Sequence, residues 1–255
     1  MKDDALLRLL DDTANAVQQV LLDDAAQGDK SWRERTDRRG QYRIDLVADE
    51  AALKVLRGAG VGILSEESGL EDRANDMIVV VDPVDGSTNA SRGIPWYAVS
   101  LCAVEASELR ASLVMNLATG TRYQAVRGKG ATRDGVLITP SAITAIESAM
   151  LVLNGYSPKH LHWRQYRSLG ATALDLCSVA DGKIDGSMDC TDSKLGPWDY
   201  MGALLVLQEV GAHIADAQGR ELVVLDPAAK RTPVAAGTHE LFETLFVQRQ
   251  RLGSW

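Results

Sequence analysis

The sequence of 255 residues predicts an α/β or α+β layered fold. Three observations lead to this fold class: some segments repeat apolar residues with helical spacing, short apolar runs lie between those segments, and no obvious linker divides the chain. Hydrophobic residues make up 45% of the chain and charged residues 24%, which is enough apolar material for a sizeable buried core.

Helical spacing is clearest at the start of the chain. From Ala5 to Ala26 the apolar residues recur at every third or fourth position, which predicts an amphipathic helix. A polar stretch from Gly28 to Gly40 follows and is a candidate lid. A second helix is predicted from near Leu46 to about Gly58, and a third from Trp198 to Val210, which ends before a glycine.

Strands are predicted where short apolar runs are bounded by acidic or glycine-containing turns. The middle of the chain is expected to form a meander. These predicted strands cover residues 61–64, 77–81, 97–104, 109–115 and 121–127. Three further segments mix strand and helix signals, at residues 150–153, 171–180 and 184–188.

The formal net charge of -8 opposes non-specific binding to nucleic acid, because such binding needs a basic surface that displaces counterions. The basic cluster from Lys30 to Arg43 is interleaved with Glu34 and Asp37. This mixture favours a solvated or mobile loop over a nucleic-acid patch. We therefore expect no nucleic-acid partner.

No run of residues approaches the ~20 consecutive apolar positions of a membrane span. Asp3 and Asp4 stand where a secretory signal would carry basic and then apolar residues. We expect a cytoplasmic protein with no membrane partner. The three cysteines, Cys102, Cys177 and Cys190, lack the paired spacing of a zinc site or a disulfide framework, and we expect reduced thiols in the core.

The most informative segment is IVVVDPVDGSTN, residues 78–89. An apolar strand leads directly into Asp82 and Asp85. Pro83 withholds a backbone donor, Gly86 permits close approach of the backbone, and the Ser-Thr pair that follows is typical of a helix start. Such a turn gathers two carboxylates and free N–H groups at one point.

Asp82 and Asp85 would raise each other's pKa unless a positive charge lies between them. A divalent cation meets this need, and oxygen-only ligands favour hard ions such as Mg²⁺, which commonly also binds a substrate phosphate. The helix that begins near Ser87 can receive the same phosphate through its N–H groups. The alternative is that both aspartates only cap a turn.

Three blocks, in this order along the chain, resemble the inositol monophosphatase superfamily. Asp82–Asn89 resembles its metal-binding signature, Ser65–Ser68 its upstream Gly-Glu-Glu-Ser element, and Trp198–Ala203, followed by Glu209–Ala212, its downstream Trp-Asp element. Arg167–Asp175 is similar to the substrate-side segment of the family. The resemblance spans nearly the whole chain.

The resemblance implies an αβαβα sandwich like that of inositol monophosphatase and fructose bisphosphatase. It further implies a single domain over residues 1–255, with an N-terminal lobe at about 1–140 and a C-terminal lobe at about 141–255. The activity that it implies is Mg²⁺-dependent hydrolysis of a small phosphomonoester.

Each functional role is carried over on a matching residue. The resemblance implies that two or three Mg²⁺ ions are coordinated by Glu66, Asp82, the carbonyl of Val84, Asp85 and Asp199. It implies that Gly86 and Ser87 donate backbone N–H groups to the phosphate. The implied catalytic residues are Glu66, Asp82 and Ser87, with Glu66 and Ser87 orienting a metal-activated water for direct attack on phosphorus. The alternative for Asp199 is a first-turn acid that stabilises a helix dipole.

The family pattern also implies which residues line the space for the alcohol part of the substrate. These residues are Asp85, Gly170, Ala171, Thr172, Asp189 and Asp199. The segment from Cys190 to Gly196 is about three residues longer than is usual in the family, so an exposed loop position is an equal alternative for Asp189.

Two departures from the family pattern affect the site. The segment Asp45–Asp49 lacks the threonine that helps to position a third metal, which leaves Asp49 as the candidate for that role. Ser65 replaces the usual glycine before the acidic pair, and Ser87 replaces the usual threonine while keeping the hydroxyl group.

Two other functions compete with this interpretation. In a haloacid dehalogenase-like phosphatase Asp82 would be the nucleophile, but that family places one residue between its two aspartates, whereas Pro83 and Val84 intervene here. A non-catalytic protein with the same fold is the second alternative, and the presence of every expected ligand opposes it.

The substrate class follows from the resemblance alone. We expect a small phosphorylated metabolite, with an inositol monophosphate-like ester first. Fructose 1,6-bisphosphate, a 3′-phosphoadenosine phosphate and histidinol phosphate are the alternatives. Arg167 is a candidate for binding a second phosphate, with a surface position as its alternative. The family also leads us to expect a homodimer.

Overall fold

The computed structural model describes residues 1–26, 31–38 and 40–252. Within these residues the α-helices are numbered in chain order as follows: α1 Asp3–Ala26, α2 Arg43–Ala59, α3 Ser87–Arg92, α4 Thr172–Ala180, α5 Pro197–Glu209 and α6 His239–Leu252.

The strands form two sheets. The first sheet contains β1 Gly62–Ser65, β2 Gly69–Glu71, β3 Met77–Asp85, β4 Ala98–Glu105, β5 Glu108–Asn116, β6 Arg122–Val126, β7 Ala131–Arg133 and β8 Val136–Leu137. The second sheet contains β9 Met150–Asn154, β10 Gln165–Arg167, β11 Gly186–Asp189, β12 His213–Asp216 and β13 Pro233–Ala236.

The first sheet has the strand order β2-β1-β3-β4-β5-β6-β7-β8. Strand β3 pairs in parallel with β1 and antiparallel with β4, and the strands from β4 to β8 follow one another as an antiparallel meander. The meander predicted for the middle of the chain is therefore confirmed. In the second sheet, with the order β10-β9-β11-β13-β12, β13 runs antiparallel to both of its neighbours.

Helices and sheets alternate in five layers. Helices α1 and α2 cover one face of the first sheet, α4 and α5 lie between the two sheets, and α6 covers the outer face of the second sheet. Three apolar cores fill the spaces between these layers. The αβαβα sandwich expected from the family resemblance is thus confirmed.

The first helix shows how the apolar spacing produces this packing. In α1 the residues at the predicted positions, among them Leu6, Leu10 and Val17, are fully buried against the first sheet. The second helix begins at Arg43, three residues before the predicted start, because the backbone N–H of Tyr42 donates to the Asp45 carboxylate at 2.7 Å and caps the first turn.

Two regions differ from the sequence predictions. Strand β3 continues beyond Val81 to Asp85, because a bulge keeps it paired with β4. The segment 171–180, which mixed strand and helix signals, is the helix α4, since nearly all of its residues are buried between the two sheets.

The three cysteines are buried and unbonded, as expected for core thiols. Among the described residues, no helix is long and apolar enough to cross a membrane.

Candidate active site

The site begins at the end of β3, a strand in which every residue is buried. Asp82 pairs with Ser100 of β4, whereas Asp85 pairs with Ala98, so three steps along β3 oppose two steps along β4. Pro83 lies within this bulge, where its missing N–H leaves no gap in the ladder. The bulge brings both carboxylates to the same edge of the first sheet.

Three of the predicted ligands meet at this edge. Ligand oxygens of Glu66, Asp82 and Asp199 all lie within 4.8 Å of one another. Glu66 directly follows β1, the parallel neighbour of β3, and Asp199 lies in the first turn of α5. Three separate elements of the chain therefore place carboxylates around one point.

The hydrogen bonds of these carboxylates leave one buried oxygen without a partner. Asp82 Oδ1 accepts the N–H of Val84 at 3.1 Å, but its Oδ2 is buried with no hydrogen-bond partner. Asp199 Oδ2 accepts the N–H of Gly196 at 2.5 Å, which also caps the start of α5. A buried carboxylate oxygen without a donor is costly unless a cation binds it.

Burial and mutual repulsion raise the pKa of each carboxyl group in the cluster. Burial raises the pKa of Glu66 to about 7, with a further contribution from Glu67. The pKa of Asp82 is raised well above its ordinary value by burial and then by Glu66, Asp85 and Asp199. Burial, and then Glu66 and Asp85, raise the pKa of Asp199. Burial and neighbouring carboxylates therefore outweigh the nearby positive charges of Arg38 and Lys230, which lower the pKa of Glu66.

Asp85 connects the cluster to the second half of the chain. Its Oδ2 accepts the N–H of Ala173 at 2.7 Å, in the first turn of α4. The next residue, Gly86, has a φ of 85°. A Cβ atom at this glycine would lie 3.0 Å from the Gly170 carbonyl oxygen and from Ala171 Cβ, so the backbone approach requires glycine.

The predicted substrate-side residues lie beside this glycine. Asn89 holds the segment in place, since its Nδ2 donates to the Leu169 carbonyl at 2.7 Å and to the Trp96 carbonyl at 2.8 Å. Gly170 and Ala171 contact Gly86, as described above, and Thr172 begins α4. The structure thus brings this segment to the turn at Gly86, while phosphate binding by that turn and contact of the segment with substrate stay predictions.

Asp189 lies at the end of β11 and is buried rather than in an exposed loop. Its Oδ1 accepts the N–H of Thr191 at 2.9 Å and the Thr191 hydroxyl at 2.6 Å, and its Oδ2 has no partner. Asp189 is not among the three carboxylates that converge. Its predicted role toward the substrate stays a prediction.

One further acidic residue, Asp45, lies near the cluster and was not among the predicted site residues. Asp45 is buried in the first turn of α2, its Oδ1 has no hydrogen-bond partner, and burial raises its pKa to about 7. Glu67 and Glu66 raise this pKa further, and the Ser87 hydroxyl lowers it, so Asp45 faces the cluster. Asp45 and Asp49 are four residues apart on one helix and therefore share a face. This spacing was the signal in the sequence that could have identified Asp45 beside the candidate Asp49.

Asp49, the candidate for positioning a third metal, is occupied by other partners. Its Oδ1 accepts the Ser65 hydroxyl at 2.5 Å, and its Oδ2 accepts the Ser68 hydroxyl in a short hydrogen bond. Ser65 Oγ in turn accepts the N–H of Glu67 at 3.1 Å. Asp49 and Ser65, the serine that replaces the usual glycine of the family, therefore support the loop that carries Glu66.

The described part of the candidate lid is tied to the site. Arg38 donates to the Glu66 carbonyl at 3.2 Å and pairs with the Glu67 carboxylate at 3.0 Å. Arg33 Nε donates to the Ser91 carbonyl at 2.8 Å. Residues 27–30 and 39, which include two members of the predicted basic cluster, lie outside the described residues.

The residues of the cluster fit a hard divalent cation. All of the converging ligand atoms are carboxylate oxygens, which Mg²⁺ and similar ions prefer. The buried Asp82 Oδ2 has no hydrogen-bond donor, and a bound cation would supply the missing partner. A bound cation would also lower the pKa of the carboxyl groups of Glu66, Asp82 and Asp199, which burial and neighbouring carboxylates raise.

Comparison with a protein-family model identifies the family of this chain. The model described as the inositol monophosphatase family matches residues 9–253. The chain belongs to the inositol monophosphatase family. As a member of this family it is a phosphoric monoester hydrolase whose chemistry depends on metal ions.

Named relatives agree with this membership. The chain is 34% identical over 182 residues to a fructose-1,6-bisphosphatase/inositol-1-monophosphatase of Archaeoglobus fulgidus, which covers 70% of this chain and 71% of the relative. It is 28% identical over 200 residues to the Nus factor SuhB of Xylella fastidiosa, over 72% of this chain and 71% of the relative.

A solved structure shows the same fold. It is described as an inositol monophosphatase-fructose 1,6 bisphosphatase and has a TM-score of 0.83 and 27% sequence identity. The match covers 99% of this chain and 100% of the other chain. The layered arrangement of helices and sheets is therefore shared over the full length of both molecules.

The crowded carboxyl groups make the stability of the metal-free protein depend on pH. Burial raises the pKa of Glu66 and of Asp45 to about 7, from ordinary values of 4.5 and 3.8. At pH values between the ordinary and the raised pKa, the folded chain holds protons that the unfolded chain has released. The free energy of unfolding therefore falls as pH rises from about 4.5 to about 7. We expect added Mg²⁺ to reverse this fall.

Thermal unfolding in EDTA and in Mg²⁺, followed across this pH range, measures the effect. The variant Glu66→Gln should make the pH dependence in EDTA less steep, because the glutamine does not titrate while Asp45 still does. Unfolding midpoints that are independent of both pH and Mg²⁺ would contradict this account of the cluster.

Proposed function

We propose that this protein hydrolyses a small phosphomonoester with the help of two or three Mg²⁺ ions bound at the end of β3. The observation that carries the proposal is the convergence of Glu66, Asp82 and Asp199 on one point, with the buried Asp82 Oδ2 lacking a donor. We propose Asp85 and the carbonyl of Val84 as the remaining ligands, because the bulge in β3 places them next to Asp82.

Bound Mg²⁺ would activate a water molecule for attack on phosphorus and neutralise charge on the phosphate. The residues of this chain hold the reacting groups in place. Glu66 and the Ser87 hydroxyl orient the water, and Asp82 would hold the metal together with Glu66 and Asp199, whose ligand oxygens lie within 4.8 Å of its own. The left-handed turn at Gly86 supports a phosphate-binding role for the N–H groups of Gly86 and Ser87.

Asp45 is the residue that we assign to the Ser87 hydroxyl. The pKa of the Asp45 carboxyl responds to Ser87 as well as to Glu66, and one of its oxygens is buried without a partner. A carboxylate in this position accepts a proton from the serine hydroxyl, and the hydroxyl oxygen then accepts a proton from water. Asp49 cannot share this role, because two serine hydroxyls occupy its oxygens.

We propose an inositol monophosphate-like ester as the first substrate to test and fructose 1,6-bisphosphate as the second. The names of the relatives support both. We propose that Asp85, Gly170, Ala171, Thr172, Asp189 and Asp199 line the space for the leaving alcohol. Arg167 is exposed and donates to the carbonyl of its neighbour Tyr166, so it offers the bisphosphate no built site.

We further propose that the protein acts as a homodimer in the cytoplasm, by analogy with its family. The SuhB relative is described as a Nus factor, which names a different kind of role for that protein. Measurement of phosphate release tests whether this chain has the proposed hydrolytic role.

A panel of phosphomonoesters tests the proposed activity. We expect release of inorganic phosphate in Mg²⁺ from myo-inositol 1-phosphate, fructose 1,6-bisphosphate or both, and loss of release in EDTA. Asp82→Asn should lower kcat by at least about 10³-fold, because it removes a ligand shared by the cluster. Circular dichroism of this variant controls for folding.

A folded protein that releases no phosphate from the whole panel in Mg²⁺ would refute the proposal. An aspartyl-phosphate trapped on Asp82 by acid quenching would instead support the haloacid dehalogenase-like alternative. Direct attack by water predicts that no such adduct forms.

Substitutions of Ser87 and Asp45 test the assigned pair. We expect Ser87→Ala and Asp45→Asn each to lower kcat by about 10²-fold, since each interrupts the same proton path. The double variant should be little slower than either single variant, because the two groups act as a unit.

Asp49→Asn is the matched control for Asp45→Asn on the same helix. It should lower the unfolding midpoint through its serine partners and leave kcat closer to that of the parent protein. A larger loss of kcat in Asp49→Asn than in Asp45→Asn would reverse our assignment.

A further inference from the structure

One lysine beside the carboxylate cluster belongs to none of the sequence motifs. Lys230 lies in the loop that precedes β13. The backbone next to it is fixed, because the N–H of Arg231 donates to the Leu195 carbonyl at 2.8 Å and the N–H of Leu195 donates back at 3.4 Å. This bridge holds Lys230 against the turn that leads into Asp199.

The side chain of Lys230 has a defined position. It is half-buried, and its Nζ lies 4.8 Å from the ring centroid of Trp198, a cation-π contact. The ring itself is held over Gly196, where an added Cβ atom would lie 2.5 Å from the indole. The next residue along α5 is Asp199, so the aromatic ring that Lys230 contacts directly precedes a proposed metal ligand.

The charge of Lys230 acts on two carboxylates that come from different elements. It lowers the pKa of Glu66 and of Asp199, against the burial that raises both. Lys230 nevertheless forms no ion pair with any carboxylate among the described residues. Its three N–H donors are therefore not committed to a carboxylate oxygen.

An uncommitted ammonium group suits a phosphate that arrives with the substrate. Lysine presents a compact charge that binds phosphate oxygens, and the Trp198 contact restricts its stem before the ligand binds. We propose that Lys230 is a phosphate-binding residue of this active site, which donates from Nζ to phosphate oxygens of the substrate. This inference rests on the proposed function, and it extends the site to a loop outside the family blocks.

The position of Lys230 has a consequence for metal binding. A positive charge beside Glu66 and Asp199 repels cations that these carboxylates attract. Lys230 should therefore weaken the binding of Mg²⁺ in the absence of substrate while it strengthens the binding of phosphate. A lysine that only supported the Trp198 ring would strengthen both, because its loss would disturb the ligand Asp199.

The variants Lys230→Met and Lys230→Arg test this prediction, with Lys129→Met as a control at a distant lysine that pairs with Asp3. Calorimetric titrations measure the Kd of Mg²⁺ alone and the Kd of inorganic phosphate in saturating Mg²⁺. In Lys230→Met we expect phosphate Kd or substrate KM to rise by about 10-fold, and the Kd of Mg²⁺ to fall by about 3-fold. Lys230→Arg should restore much of the phosphate binding.

Two substrates distinguish the source of the phosphate. If Lys230 binds the reacting group, KM rises for both myo-inositol 1-phosphate and fructose 1,6-bisphosphate, together with the Kd of inorganic phosphate. If it binds a second phosphate, only the KM for the bisphosphate rises. In both cases kcat should change less than KM.

Unchanged phosphate Kd and unchanged KM for both substrates in Lys230→Met would overturn the proposal. Weaker binding of Mg²⁺ together with phosphate would also overturn it, since that pattern indicates structural support. If the parent protein releases phosphate from no member of the panel, the proposed function fails, and the titration with inorganic phosphate then decides the role of Lys230 by itself.

Discussion

Repulsion among buried carboxylates at the end of β3 is the constraint on which the site depends. Asp82 and Asp85 cannot turn toward solvent, because the strand that carries them is buried along its whole length. Glu66 and Asp199 are brought to the same point from β1 and α5. Burial and then neighbouring carboxylates raise the pKa of Asp82 and of Asp199, so the folded chain concentrates acidic groups that a cation can neutralise.

The layered fold supplies the rigidity that holds these charges together. The first sheet is packed on both faces, by α1 and α2 on one side and by α5 on the other. Close approach of α5 is possible because Gly202 faces Ser100, where a Cβ atom would lie 2.4 Å from the serine hydroxyl. The apolar cores therefore offset the electrostatic cost of the site.

The sequence predicted those parts of the molecule that depend on neighbouring residues in the chain, namely the turn after β3 and the buried face of α1. The run from Ile78 to Asn89 shows an apolar strand, a proline, a glycine and two acids in order, and these features produce the bulge and the turn. The spacing of Leu6 and Leu10 likewise produces the buried face of α1. The ordered blocks of the family then supplied Glu66 and Asp199, which local rules alone could not bring together.

Other features depend on contacts that no local pattern contains. The choice of Asp45 over Asp49 is decided by two serines on a neighbouring loop, which occupy the oxygens of Asp49. The position of Lys230 depends on the bridge between Leu195 and Arg231, residues far apart in the chain. The antiparallel insertion of β13 between β11 and β12 is likewise set by packing of the second sheet.

The central claim is that the converging carboxylates of Glu66, Asp82 and Asp199 bind divalent cations. Crystals of the protein soaked in Mn²⁺, with diffraction recorded near the manganese absorption edge, test it most directly. We expect anomalous difference peaks at about 2.0–2.3 Å from oxygens of these three residues, with Asp82 Oδ2 among the ligands. The absence of such peaks, or peaks only elsewhere on the protein, would contradict this account of the site.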